Sequence, residues 1–343
     1  MDAVSLGFSA LAIVSILVVT VLLGMVERRV APGEWARTVL VAGTGVAIVA
    51  VACSIQLLVL PLLLVGPLAA LGALFATLAT SLMESQSMPK RLVIAAAATA
   101  LVFVPVASTV FGTPFDPFGT QLGVIDLGGG LPTLVAGGAV AVGTAVIQRP
   151  PETVRQFRTR GRTGGRTRGR TRLVPPILAW AAGIGWLVGL ELAADTMVPI
   201  IVVSALVIPA VSTIAASVVE RLRFRRTTVA GVVTGLLAGM AAAVPACAFV
   251  TPPLAVAIGV AAGTIGALLP DSLRAWPAAI LAVGAAISVV LIGAFGTNIG
   301  YIYTGQPELV FGQVFITLAS IAGGLVVGAG LGWLVHRWPS REW

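Results

Sequence analysis

The chain has 343 residues, of which 58% are hydrophobic and 10% charged, with a mean hydropathy of +1.04 and a formal net charge of +8 at pH 7. Water-soluble domains typically carry about 25% charge, so the composition excludes a soluble globular protein and points to an integral membrane protein. Forty glycines among long Ala, Val and Leu runs suit helices that pack closely through small residues, not the alternating pattern of an outer-membrane barrel.

Residues 1–29 lack the basic segment that opens a cleaved signal and stay apolar through most of their length, so they read as a retained first span. A bilayer core of about 30 Å needs roughly 20 apolar residues per helix. On that ruler the first half of the chain holds spans at 4–25, 37–54, 57–83, 91–111 and 126–147. Next comes a stretch from Arg149 to Arg172 with nine arginines and a single acid, Glu152. It carries +8, the whole net charge of the chain, and its polar, Gly-rich composition makes it a solvated loop. Six further spans follow at 173–194, 197–219, 228–249, 253–270, 277–297 and 311–335. The expectation is therefore a single all-α polytopic membrane domain of eleven transmembrane helices. It divides into a five-helix half at 1–147, the Arg-rich loop at 148–172, a second five-helix half at 173–297, and a last helix with its tail at 298–343.

Cytoplasmic loops retain Lys and Arg, which gives an independent test of that count. Arg28, Arg29 and Arg37 fall in the first loop, Lys90 and Arg91 in the third, and the nine arginines in the fifth. Arg221, Arg223, Arg225 and Arg226 fall in the seventh, Arg274 in the ninth, and Arg337 and Arg341 in the tail. All 21 basic residues share one side, so the expected topology is N-out and C-in. The opposite loops carry acids, Asp116, Asp195 and Glu308 among them, a surface that concentrates cations modestly.

Gly231, Gly235 and Gly239 recur every four residues, as do Gly324, Gly328 and Gly332, and each set predicts a helix face where a neighbouring backbone approaches closely. Cys53 and Cys247 stand in apolar contexts without metal or redox spacing and read as buried thiols, with a disulfide as the alternative. Ionisable groups at membrane depth are costly and mark function by default, and few are available. Asp126 precedes Gly128, Gly129 and Gly130, where its carboxylate can cap a helix start or face a solute. Glu191 lies near the outer end of the sixth span, and His336 is the only histidine. No paired carboxylates, Ser/His/Asp set, metal-ligand cluster or phosphate loop is present in the spans, so neither enzyme activity nor a cofactor is expected, and a conduit or carrier is the leading class.

Several segments resemble a known family. GVVTGLLAGMAAAVPACAFVTPPLAVAIGVAAGTIGA at 231–267 is similar to the eighth and ninth spans of the ammonium transporter, methylammonium permease and Rhesus family, and LGVIDLGGG at 122–130 to the start of its fifth. GMVERR at 24–29, VPVASTVFG at 104–112 and DSL at 271–273 follow in the family's order. The resemblance implies two inverted five-helix halves with a long eleventh helix, a homotrimer in the plasma membrane, and a pore in each subunit for ammonia or ammonium. Position by position it assigns Phe118, Asp126 and Thr196 to the outer substrate-binding mouth, with Phe118 in place of a tryptophan. It puts Ala70 and Leu192 at the two phenylalanine gates, and Leu134 and Ala279 where the family carries pore histidines. Ser108 replaces an outer histidine.

Leucine and alanine cannot accept or pass a proton as histidine does. Three readings follow: a divergent ammonia or ammonium conduit, a transport-inactive relative acting as sensor or partner subunit, and a transporter of another small solute. The short tail HRWPSREW gives little for a PII-type regulator to dock on. The Arg-rich loop is expected to contact anionic lipid headgroups and not nucleic acid, since it has no interleaved aromatics.

Overall fold

The structure, a computed structural model, describes residues 3–27, 34–83, 86–111, 123–148, 166–274 and 276–338. Within them the main helices are α1 (Ala3–Glu27), α2 (Glu34–Ser54), α3 (Leu62–Ala79), α4 (Met88–Val110), α5 (Leu131–Gln148) and α6 (Arg166–Leu190). They continue with α7 (Met197–Phe224), α8 (Val229–Ala246), α9 (Pro252–Leu268), α10 (Pro277–Phe295) and α11 (Glu308–Arg337). Ten of these are long and apolar enough to cross a membrane, and α9 is apolar but only 17 residues long. Each sequence-based span coincides with one helix, with boundaries that differ for local reasons.

Four departures are instructive. The third helix starts at Leu62 and not at 57, because Pro61 biases Leu60 away from the helical region and leaves 59–61 without regular structure. It also stops at Ala79, short of the expected 83. The fifth begins at Leu131, leaving Asp126 in the loop before it. The sixth ends at Leu190 instead of 194, since Leu192 adopts a left-handed backbone (φ 57°) that turns the chain.

Prolines shape two π turns. In α4 the turn Thr99–Phe103 precedes Pro105, widening the helix where the proline ring would meet the carbonyl four residues back. Pro105 O in turn accepts the hydroxyls of Ser108 (2.7 Å) and Thr109 (3.1 Å). In α5 the turn Leu131–Val135 contains Pro132 in the first helical turn, where a missing N–H costs nothing.

The helix pairings of the first half recur in the second. α3 packs on α1, α2 and α5, as α8 packs on α6, α7 and α10, and α4 lies against α2 as α9 lies against α7. Two contacts cross between the halves, α1 with α6 and α5 with α10, and α11 lies along α5. Both glycine faces act as expected. A Cβ on Gly324 would sit 2.9 Å from Ala136 O, and one on Gly328 would run into the Val140 carbonyl, so α11 and α5 touch backbone to backbone. On α8, Gly235 and Gly239 face Ser212 and Pro209 of α7 in the same manner.

One end of the bundle carries charged residues that are engaged, among them Arg91, Lys90 and Arg274 of the loops expected on one side. Glu220, 4% exposed, accepts from Thr228 N and Thr228 Oγ1, both at 2.7 Å, and pairs with Arg274 at 3.5 Å. Arg91, read as a loop cation, is 1% exposed, and its Nε donates to Met83 O at 2.9 Å. Lys90 Nζ donates to Trp338 O at 2.9 Å, tying α4 to the end of α11. Cys53 and Cys247 are both free thiols.

Gly328→Val should overpack the α11–α5 contact and lower stability by about 1–3 kcal/mol, read as a fall in the melting temperature of detergent-solubilised protein. Gly330→Ala, where an added Cβ meets nothing within 4 Å, should leave it nearly unchanged.

Candidate functional site

The site is built around the loop 123–130 and the π turn that follows. Gly129 takes a left-handed backbone (φ 69°), which lets the chain fold back so that Asp126 faces the start of α5. Its two carboxylate oxygens then accept from Gly130 N (2.9 Å) and Leu131 N (2.6 Å). Asp126 is 8% exposed, so these charge-assisted bonds lie away from water, at the positive end of a helix.

The same loop is stitched to the other half of the chain. Leu127 N donates to Pro245 O (3.4 Å) and Gly128 N to Val244 O (3.1 Å), carbonyls of the last turn of α8 that no intrahelical N–H serves. A Cβ on Gly128 would lie 2.5 Å from Val244 Cγ1, so only glycine permits this approach. From the third side Gln313 of α11 donates its Nε2 to Ile125 O at 2.8 Å. Three helices therefore converge on one loop.

Beside the loop lies a small apolar cavity of about 20 Å³, room for a water-sized molecule, between α1, α5, α6, α7, α8 and α10. Leu134, on the π turn, forms part of its wall with Val19, Trp180, Trp186, Met240 and Leu281, and no ionisable side chain lines it. Trp180 Nε1 is engaged, donating to Ala205 O at 2.8 Å. Trp186 is 2% exposed and its Nε1 has no hydrogen-bond partner among the described residues. A second apolar depression of about 10 Å³ is lined by Leu68, Leu71, Phe111 and Leu190, among others. Leu71 lies against Gly129, so the depression adjoins the Asp126 loop.

Of the residues singled out from the sequence, Leu134 is on the cavity. Ala279 is buried in α10 without lining it, and Leu281, two positions on, supplies that helix's wall. Ala70 is buried in α3, where Leu68 and Leu71 face the depression instead. Leu192 marks the turn after α6, and Leu190 takes the place beside the depression. Thr196 is exposed at the start of α7 and caps nothing with its hydroxyl. Phe118 lies outside the described residues. Asp126 is the helix cap that its glycine context suggested.

Glu191 is half-buried in the turn after α6, and burial followed by the nearby Asp195 charge pushes its carboxyl above the usual carboxylate range. Sequence reading missed Trp186 and Gln313. Both sit in apolar runs toward helix ends, and the usable signal was a polar head among apolar residues, where it must find a partner.

Comparisons with known proteins follow from this geometry. The model of the Ammonium Transporter Family matches residues 68–341. No curated protein matches by sequence. Among solved structures, Saccharomyces cerevisiae Mep2 superposes with a TM-score of 0.79 at 18% identity, over 96% of this chain and 87% of that one. Candida albicans Mep2 gives 0.73 at 16% identity, over 96% and 83%. A structure named Sensor Amt Protein gives 0.71 at 17% identity, over 97% and 93%. At such identities the likeness is one of fold.

Asp126→Ala removes both acceptors for two buried N–H groups and should cost about 2–4 kcal/mol, read by thermal melting. Asp126→Asn, which keeps one acceptor oxygen, should lose roughly half as much.

Proposed function

The chain belongs to the ammonium transporter family, and from that membership we propose that it conducts neutral ammonia, or a similarly small neutral solute, through the apolar cavity beside Leu134. It is a multi-span membrane protein of the transporter type. The observation that carries the finer reading is the chemistry of the cavity wall. Leu134 stands where a proton-accepting side chain would be needed, and no ionisable group lines the space. An ammonium ion entering there sheds its hydration with nothing to replace it, a penalty of several kcal/mol even after relaxation. Ammonia has no net charge to desolvate.

The indole of Trp186 supports the same choice. Its N–H is a donor only, so it suits a solute with a lone pair. Ammonium has none.

Several parts of the proposal rest on the family and on the sequence. We place the protein in the plasma membrane as a homotrimer with one pathway per subunit, N-terminus outside and C-terminus inside. The helix pairings that recur between α1–α5 and α6–α10 support two inverted halves. Phe118 and Thr196 would shape the mouth, and Asp126 would act there by holding the loop. The Arg-rich stretch would meet anionic headgroups, each basic residue near the surface contributing about 1 kcal/mol. No enzymatic step, cofactor or nucleic-acid partner is part of this reading, and a PII-type regulator is not expected.

Proteoliposomes containing the purified protein should admit ammonia faster than empty vesicles, read as a rise in internal pH, while solid-supported-membrane recordings show no charge movement. Leu134→Trp should abolish the excess flux without changing the melting temperature by more than a few degrees. An ammonium-evoked current would sink the neutral-solute reading. Flux equal to that of empty vesicles for ammonia, methylammonium and water would instead favour a transport-inactive sensor or partner subunit.

A further inference from the structure

On the far side of the π turn from the cavity, α11 presents Gln313, Thr317 and Ser320 at i, i+4 and i+7, on one face of the helix. All are buried, at 0%, 3% and 1% exposure. Gln313 Oε1, Thr317 Oγ1 and Ser320 Oγ have no hydrogen-bond partner among the described residues. Most threonine hydroxyls inside this bundle do find one, although Ser288 Oγ of α10 is likewise unpartnered among the described residues. Those of Thr20, Thr77, Thr99, Thr144, Thr213 and Thr234 each donate to the carbonyl four residues back, at 2.7–2.9 Å. The default for a buried helical hydroxyl here is its own backbone, and Thr317 and Ser320 are turned away from it.

What they face follows from the contacts above and below them. Gln313 reaches Ile125 O, and Gly324 abuts Ala136 O, so the intervening stretch of α11 runs beside residues 126–135. That stretch includes the π turn, where the Ala136 amide reaches back to Leu131 O, five residues away. Pro132 offers no N–H to the carbonyl of Gly128. A helix start widened by a π turn, before which the Gly128 carbonyl receives no N–H from Pro132, thus runs beside three buried side-chain oxygens without a partner among the described residues. The helical rise puts those positions about 6 and 4.5 Å apart along the axis, so a water with hydrogen bonds of about 2.8 Å on each side can bridge Thr317 and Ser320, and a second water serves the longer step to Gln313.

We infer that this seam between α11 and the π turn is a built binding site for ordered water. The waters are held by Thr317 Oγ1 and Ser320 Oγ, and by Gln313 Oε1 one turn away, and complete the hydrogen bonding of the backbone that carries Leu134. The site lies inside one subunit, since the three residues are buried within this chain, and the inference is independent of which solute the cavity conducts.

The sign of a stability change tests it, because isosteric loss of a hydroxyl acts oppositely in the two cases. A hydroxyl that holds water leaves polar groups unsatisfied when removed, whereas one with no partner relieves a buried penalty. Thr317→Val and Ser320→Ala in the full chain should each lower the melting temperature by about 2–4 °C, and Thr317→Ser should restore it. An experimental structure at a resolution that shows solvent should place ordered density within hydrogen-bond distance of Thr317 Oγ1 and Ser320 Oγ. Unchanged or raised melting temperatures in both variants would overturn the inference. So would hydroxyls bonded to the Gln313 and Ile316 carbonyls with no solvent density between α11 and the π turn.

Discussion

Within a bilayer each backbone N–H and C=O must find its partner inside the protein, and the loop 123–130 is where this chain meets that demand most severely. The chain crosses from irregular structure into α5 at a buried place, away from bulk water. Asp126 closes that end with both carboxylate oxygens, Leu127 and Gly128 close the open end of α8, and Gln313 closes Ile125 O. One loop thereby satisfies ends belonging to both halves of the chain and to the last helix. The two glycines make it possible, one by its left-handed backbone and the other by letting the Val244 side chain approach.

Beneath this junction the chemistry changes to a wholly apolar wall. On the neutral-solute proposal that contrast has a use, since a cation reaching Leu134 would find no ionisable partner among the described lining residues, while a neutral molecule needs none. Small residues set the geometry around the cavity: glycine faces bring α11 onto α5 and α8 onto α7 at backbone distance. In lipid such packing substitutes for the hydrophobic drive that brings helices together in water. The charge cluster of Glu220, Thr228 and Arg274 fastens the other end of the bundle.

How much of the site was legible in the sequence differs by residue, and the reason is physical. Asp126 could be read because an acid followed by glycines before an apolar run has a local meaning, that of a helix cap. Leu134 could be read because its distance from Asp126 is fixed along the chain. Ala279, Ala70 and Leu192 were placed by counting, and a helix turns about 100° per residue, so an error of one or two positions moves a side chain off the cavity. Leu281, Leu71 and Leu190 occupy the walls instead. Arg91 was read as a loop charge because sidedness follows from composition, whereas its burial depends on which helix ends fold over it.

By itself the sequence determined that the chain lives in a membrane, where its helices lie, which glycine faces join them, and that no histidine is available near Leu134. These are local or compositional properties, set by the apolar length a bilayer requires and by the spacing of residues on one helix. Only the tertiary structure decided that the Asp126 loop binds the end of α8, that Gln313 reaches it from α11, and that Thr317 and Ser320 are buried without a hydrogen-bond partner among the described residues. Those facts join residues more than a hundred positions apart. Hydrogen bonding at membrane depth depends on which helix end meets which side chain in space, and the order of residues alone does not state it.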